Sequence, residues 1–279
     1  KYGAKSDVLL ASHHWPTWGS DNVQGALKNQ RGLYRYVHDQ TIRQANQGAT
    51  MHGIAENIGE PVFAKTDFGV RDYYGTLNHN SKAVYQRYFG WYDGVPAHLD
   101  PVPRGEAAER YMEPMDGLDA VLSLGDEALA SGEFRWAAEL GQHVVFTDPD
   151  SQPARSLLAR AYEQLGYRAE SAPWRDVYLT GVYELRHSVE ALDAPAAGSA
   201  ILQSIPLDMF FAAMATRLDG EAAARQDRVF NFAFTDVDEH YVIRLSNGVM
   251  HHHDAPPVDG ADASVTLTRD FWLRLLQQE

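Results

Sequence analysis

Leu118–Tyr167 reads LDAVLSLGDEALASGEFRWAAELGQHVVFTDPDSQPARSLLARAYEQLGY. Three apolar-periodic runs, Leu118 to Ala130, Glu133 to Phe146 and Pro153 to Leu165, are separated by Ser131-Gly132 and by Asp148-Pro149-Asp150. Each run has helical length and spacing, and each break carries residues that stop helices. Gly132 and Gly166 read as two glycine turns 34 residues apart (166 − 132 = 34), the period of a tetratricopeptide-type helix pair. Small residues at Ala137, Ala138, Ala154, Ala159 and Ala161 allow close helix approach. An antiparallel helical bundle with a coincidental spacing remains the alternative.

The whole chain has 279 residues, 44% hydrophobic and 22% charged, which fits about two globular domains. Twenty-four Lys and Arg oppose 38 Asp and Glu, a formal charge of −14. An excess of that sign repels phosphate backbones, so nucleic acid is not an expected partner. Cysteine is absent, which excludes thiol catalysis, disulfides and Cys-ligated zinc and leaves His, Asp and Glu for any metal. No apolar run is long enough to span a bilayer. The sequence begins at Lys1 and runs almost at once into a buried-looking strand, Val8 to Ala11. It is expected to be the C-terminal part of a longer chain.

Towards the N-terminus, Val8 to Ala11 leads into Ser12-His13-His14-Trp15-Pro16-Thr17-Trp18-Gly19, where Pro16 and Gly19 predict a loop. Asp21 is expected to cap a helix bearing Leu27, Leu33, Tyr34, Val37 and Ile42 on one side, stopped by Gly48. A short helix is expected over 54–58, a loop from Phe68 to Asn80, a helix from Lys82 to Tyr92, and another from Ala107 to Met115. Towards the C-terminus, Pro195 and Gly198 in an Ala-rich stretch mark a boundary. An amphipathic helix, Leu207 to Leu218, precedes four strands, at 229–235, 241–245, 249–253 and 263–267, with Ser246-Asn247-Gly248 as a hairpin turn. A last helix, Arg269 to Gln278, is expected to bury Phe271, Trp272, Leu275 and Leu276. Together these predict an α+β unit with an antiparallel sheet and helices on one face.

Three stretches could carry chemistry. His13-His14 offers imidazoles for zinc, or two rings packed among Trp15 and Trp18; three protein ligands are the usual minimum for a catalytic zinc. Asp72 to Asn80 is dense in hydrogen-bond donors, with Tyr73, Tyr74 and flanking Arg71 and Lys82 suited to an anion. The simpler reading is a loop that packs a tyrosine and starts a helix through Asn80. His251-His252-His253 alternates across a strand, so His251 and His253 share one face; a solvated strand end is the simpler reading. Trp174, Arg175, Tyr178 and Arg186 read as interface or core around a helix after Pro173.

Several stretches resemble one family. They are Lys5-Ser6-Asp7-Val8, Ser12 to Gly19, Tyr73-Tyr74-Gly75, His79 to Tyr88, Gly90 to Gly94, Trp174 to Gly181 and Asp208 to Phe211. Together they resemble the linear alkyl sulfatases of the metallo-β-lactamase superfamily. The resemblance implies that 1–57 ends a metallo-β-lactamase-like catalytic domain, that 58–186 is an all-α, tetratricopeptide-like dimerisation domain, and that 187–279 is an α+β domain like sterol carrier protein. It implies two zinc ions per subunit, most of whose ligands lie outside these residues, with His13 as the last metal ligand and His14 packed behind it. It places a sulfate contact on Tyr74, with His79 as a second candidate. It further implies an alkyl sulfate substrate, a homodimer, and a bacterial periplasmic or secreted location. Two rival readings are a non-catalytic dimerisation and lipid-binding module and a related hydrolase acting on another ester.

Overall fold

The computed structural model describes residues 3–188 and 204–277. The chain divides into two compact units, Lys1–Val189 and Glu190–Glu279.

The first unit opens with an antiparallel hairpin, β1 (Val8–Ala11) and β2 (His14–Trp18). The expected loop after Ala11 is therefore mostly a strand. Pro16 is tolerated because the Gly19 N–H bonds to the Asp7 carbonyl and Thr17 pairs with Leu9, which leaves position 16 at a non-bonding site of a two-stranded ladder, where no N–H is needed. Helix α1 (Ser20–Ala45) follows; Gly19 is its cap residue and Asp21 sits in its first turn instead. Val23, Val37 and Thr41 are its buried residues. Leu27 and Tyr34, expected on the same side, are exposed.

Helix α2 (Met51–Asn57) is capped by Thr50 and α3 (Leu77–Phe89) by Thr76. The expected loop thus ends at Thr76, and α3 starts five residues before Lys82. Thr76 Oγ1 accepts the His79 N–H at 2.9 Å, so Thr76 and not Asn80 starts the helix. Gly90 ends it with a positive φ, leaving Trp91 outside and exposed. His38 braces α1 against α3: its Nδ1–H donates to Asp39 Oδ1 at 2.7 Å, and its Nε2 accepts from the Tyr88 hydroxyl at 2.8 Å.

The helical layer comprises α4 (Arg104–Met112), α5 (Leu118–Ser131), α6 (Phe134–Thr147), α7 (Gln152–Arg168) and α8 (Ala172–Arg186). Consecutive helices from α5 to α8 pack on one another, while α4 reaches α6 and α5 reaches α7. Met112, Val121, Leu140, Val144 and Ala154 form one core cluster, and Ala128, Ala137 and Ala161 form a small-residue seam. A buried Leu or Val is worth about 1.5–3 kcal/mol; the alanines contribute by letting backbones close up. Gly132 does end α5 in the left-handed region. Gly166, expected as the second such turn, lies inside α7. A Cβ there would stand 3.0 Å from Leu179 Cδ2, so this glycine serves close packing against α8. An ion pair at 2.5 Å between Arg160 and Asp126 links α7 to α5.

In the second unit, α9 (Leu207–Ala215) and the short α10 (Gly220–Ala223) precede β3 (Arg228–Phe234), β4 (Glu239–Ser246), β5 (Val249–Asp254), β6 (Ala263–Leu267) and α11 (Arg269–Gln277). The sheet order is β5-β4-β3-β6. β6 runs parallel to β3, so the sheet is mixed and not wholly antiparallel: the chain crosses over between Asp254 and Ala263 rather than turning back. Asn247 and Gly248 both take positive φ in the β4–β5 turn, the geometry that a tight hairpin needs. Leu207, Phe211, Phe234, Tyr241 and Ile243 form the core, with Phe210, Phe232 and Trp272 against it. Burial, with Glu239 beside it, pushes the Tyr241 phenol up to about 12. In α11, Trp272 packs on the core as expected and Leu273 is buried beside it, whereas Phe271 and Leu275, expected to be buried, are exposed. The side chain of Leu276, and Pro195 and Gly198 of the expected boundary, lie outside the described residues.

Candidate functional site

His13 stands at the turn between β1 and β2, exposed. Its ring stacks on Tyr74, with centroids 4.0 Å apart and planes at 15°. Neither ring nitrogen of His13 hydrogen-bonds to a described residue, so both remain open to an outside partner. His14, next along the chain, points the other way and is half-buried. Its Nδ1 lies 2.7 Å from the Trp15 carbonyl; a carbonyl only accepts, so Nδ1 carries the proton. Its ring meets Phe68 and Tyr73 edge-on, at 6.3 and 6.2 Å between centroids. His13 lies in the turn and His14 opens β2, so the two imidazoles have different surroundings.

The turn beneath His14 is held by α1. Asn29 Nδ2 donates to Asp67 Oδ2 at 2.6 Å, and Gln30 Nε2 donates to the Gly69 carbonyl. Asp67 Oδ1 then accepts the Gly69 N–H at 2.8 Å. Phe68 and Tyr73 stack at 5.0 Å with planes at 8°.

The loop bearing Tyr74 is pinned at both ends. On one side, Asp72 turns its carboxylate onto the Leu77 N–H, at 3.2 and 3.1 Å. Burial raises the Asp72 pKa above the ordinary value, against the lowering effect of that hydrogen bond. On the other side, the start of α8 grips the loop. Ser171 Oγ donates to the Tyr74 carbonyl at 2.6 Å, the Ala172 N–H donates to the Tyr73 carbonyl at 2.8 Å, and Arg71 pairs with Glu170 at 2.5 Å. Burial also pushes the Tyr73 phenol up, with Asp67 adding to it. Tyr73 is thus the packed tyrosine of the pair, and Tyr74, 48% exposed, is the one that presents its ring outward.

His79 lies in the first turn of α3, exposed. Its ring makes no hydrogen bond or ring contact with His13, Tyr74 or any other described residue. Of the sequence candidates, the fold therefore joins His13 to Tyr74 and leaves His79 outside that contact. His251 and His253 are exposed on one face of β5, while His252 turns inward and pairs with Asp208 at 3.0 Å. Among the described residues no three His, Asp or Glu side chains converge to hold an ion. Among those residues, too, no helix is long and apolar enough to cross a membrane. The anchors Ser171, Asn29, Gln30 and Asp67 were not singled out in the sequence. Ser171 carried a signal, since Ser two residues before a Pro marks a helix start.

Comparison with known proteins matches residues 50–188 to the family described as alkyl sulfatase dimerisation, and residues 195–279 to alkyl sulfatase C-terminal. A linear primary-alkylsulfatase of Pseudomonas sp. is 46% identical over 96% of this chain and 40% of its own length. An (R)-specific secondary-alkylsulfatase of the same genus is 43% identical over 96% of this chain and 41% of its own length. The alkyl/aryl-sulfatase BDS1 of Saccharomyces cerevisiae is 42% identical over 100% of this chain and 43% of its own length. The solved structure of the stereoselective inverting sec-alkylsulfatase Pisa1 from Pseudomonas sp. superposes with a TM-score of 0.93 at 40% identity, covering 99% of this chain and 44% of that one. The chain thus spans less than half the length of these relatives. With both matched segments and these identities, the chain belongs to the alkyl sulfatase family, corresponding to its dimerisation and C-terminal parts.

Proposed function

We propose that this chain is the C-terminal portion of a zinc-dependent enzyme that hydrolyses alkyl sulfate esters to an alcohol and inorganic sulfate. The observation that carries this reading is the stacked pair of His13 and Tyr74, set on a chain whose relatives are named alkylsulfatases. In this reading 1–57 completes a metallo-β-lactamase-like domain, 58–186 is a tetratricopeptide-like dimerisation domain, and 187–279 is a sterol-carrier-protein-like domain offering an apolar surface to the alkyl tail.

The residues present fit a share in a zinc site but not a whole one. At an exposed turn, neither ring nitrogen of His13 bonds to a described residue, and an imidazole is a fitting zinc ligand; among the described residues nothing completes the ligand set. When bound, zinc supplies an activated water and shields the negative charge of the sulfate. Tyr74 donates its hydroxyl to a sulfate oxygen, which orients the ester without bringing a charge of its own. His14 holds the hairpin turn through its packed ring and its bond to Trp15. His79, exposed in the first turn of α3, is carried as a second candidate for a sulfate contact. Two copies associate through 58–186, covering apolar side chains such as Val177 and Trp136 that are exposed in one copy.

The full-length protein should release sulfate from alkyl sulfates and lose that activity to a zinc chelator. Under the same conditions phosphate and carboxylate esters should react far more slowly. Faster turnover of either ester class would favour the rival hydrolase. Light scattering at low micromolar concentration should give about twice the chain mass; a folded monomer would remove the dimer from the reading.

A further inference from the structure

We infer that Ser171 is a positioning residue for Tyr74: its hydroxyl sets where the Tyr74 ring stands against His13. The inference rests on the reading above, in which the Tyr74 hydroxyl meets the sulfate.

Ser171 is 2% exposed and stands at the N-cap of α8. A cap needs only an acceptor, and Ser171 Oγ accepts the Trp174 N–H at a long 3.4 Å. Its shorter and better bond is the one it donates, 2.6 Å to the carbonyl of Tyr74. Capping α8 does not require that donation, so the hydroxyl has a second task. The next residue repeats it: the Ala172 N–H, one of the orphan donors of a helix start, goes to the Tyr73 carbonyl. Two successive carbonyls of the loop are thus fixed by two successive residues of α8. The Arg71–Glu170 pair closes the same seam one residue further out, but it is half-exposed and of little strength.

Tyr74 itself has few other restraints. Among the described residues its hydroxyl has no hydrogen-bond partner, and its ring touches His13 alone among aromatic groups. The Ser171 bond is the only hydrogen bond made by Tyr74 to a described residue. Loss of that donor lets the loop drift at Tyr74 while Tyr73 stays packed on Phe68. Because α8 lies within the segment matched to the dimerisation family, the position of Tyr74 then depends on the helical layer.

The test is a double-mutant cycle in the full-length protein, reading kcat/KM for an alkyl sulfate together with thermal melting. Ser171→Ala should lower kcat/KM by about tenfold, as a displaced contact group does. Ser171→Gly, which retains capping to within a few tenths of a kcal/mol, should lower it similarly. Ser171→Thr keeps the donor and should stay within about twofold of the parent. In a Tyr74→Phe background, Ser171→Ala should cost nothing further, because its route runs through that hydroxyl. Multiplying losses in the double variant, or a Thr variant as impaired as Ala, would overturn the inference and leave the role of Tyr74 standing. Unchanged kcat/KM in Ser171→Gly would do the same. If Ser171→Ala proves too unstable to assay, the Gly and Thr variants decide alone. Full efficiency in Tyr74→Phe would overturn both the role of Tyr74 and the inference built on it.

Discussion

The imidazole of His13 lies face to face with the phenol ring of Tyr74, 4.0 Å between centroids. This contact joins a hairpin turn to a loop held by α8, and it sets an imidazole beside a phenol hydroxyl, neither of them hydrogen-bonded to a described residue. Tyr73, one residue earlier, faces the other way and stacks on Phe68.

Tyr74→Phe removes one oxygen and leaves the stack. A hydrogen bond to a charged acceptor is worth roughly 1.5–3 kcal/mol, so efficiency towards an alkyl sulfate should fall about tenfold to a hundredfold. The melting temperature should barely move. Tyr73→Phe keeps the stack with Phe68 and should retain its kinetics. A loss in the Tyr73 variant with none in the Tyr74 variant would exchange their roles.

His13→Ala and His14→Ala should separate metal binding from packing. In the full-length protein the His13 variant should lose zinc and sulfatase activity together, measured by elemental analysis beside the rate. The His14 variant should keep zinc and instead lose stability, by roughly 0.5–3 kcal/mol, since its ring fills space against Phe68 and Tyr73. Full zinc in the His13 variant would remove it from the ligand set.

Asp72 predicts a pH signature. Its folded pKa is raised by burial, so the folded state holds the proton more tightly than the unfolded chain. The stability it contributes is complete below the unfolded value and is lost as pH rises through the folded one. Asp72→Asn keeps an oxygen for the Leu77 N–H and removes the buried charge. Thermal melts should show the Asn variant gaining on the parent as pH rises from the ordinary carboxylate range through the raised folded value. A constant difference across that range would contradict the assignment.

Gly248 tests the second unit. It has φ +74, and a Cβ there would stand 2.5 Å from the Gly220 carbonyl oxygen. Gly260 has φ +76 with nothing within 4 Å. Gly260→Ala should therefore cost only the left-handed penalty of about 1–2 kcal/mol. Gly248→Ala should cost about 1–3 kcal/mol more, because backbone must move. Equal losses in denaturant melts would show that the turn has room the structure denies it.

Local chemistry alone carried much of this protein. Apolar spacing and stop residues placed α5, the body of α6 and α7, and the strand runs of the second unit, because a helix or strand that buries one face must repeat at 3.6 or 2 residues. Asn247-Gly248 announced a hairpin for the same local reason: both residues tolerate positive φ. Other features depended on partners distant in the chain. Pro16 could sit in a strand because the pairing with β1 left it at a non-bonding position of the ladder. Gly166 looked like a turn, yet it is a gap cut for Leu179 in the next helix. The direction of β6 followed from a crossover that no local pattern encodes. The grip of Ser171 on Tyr74 spans 97 residues. A hydroxyl at a helix start signals a cap by its neighbours, but which carbonyl it reaches is decided only when the helix is packed.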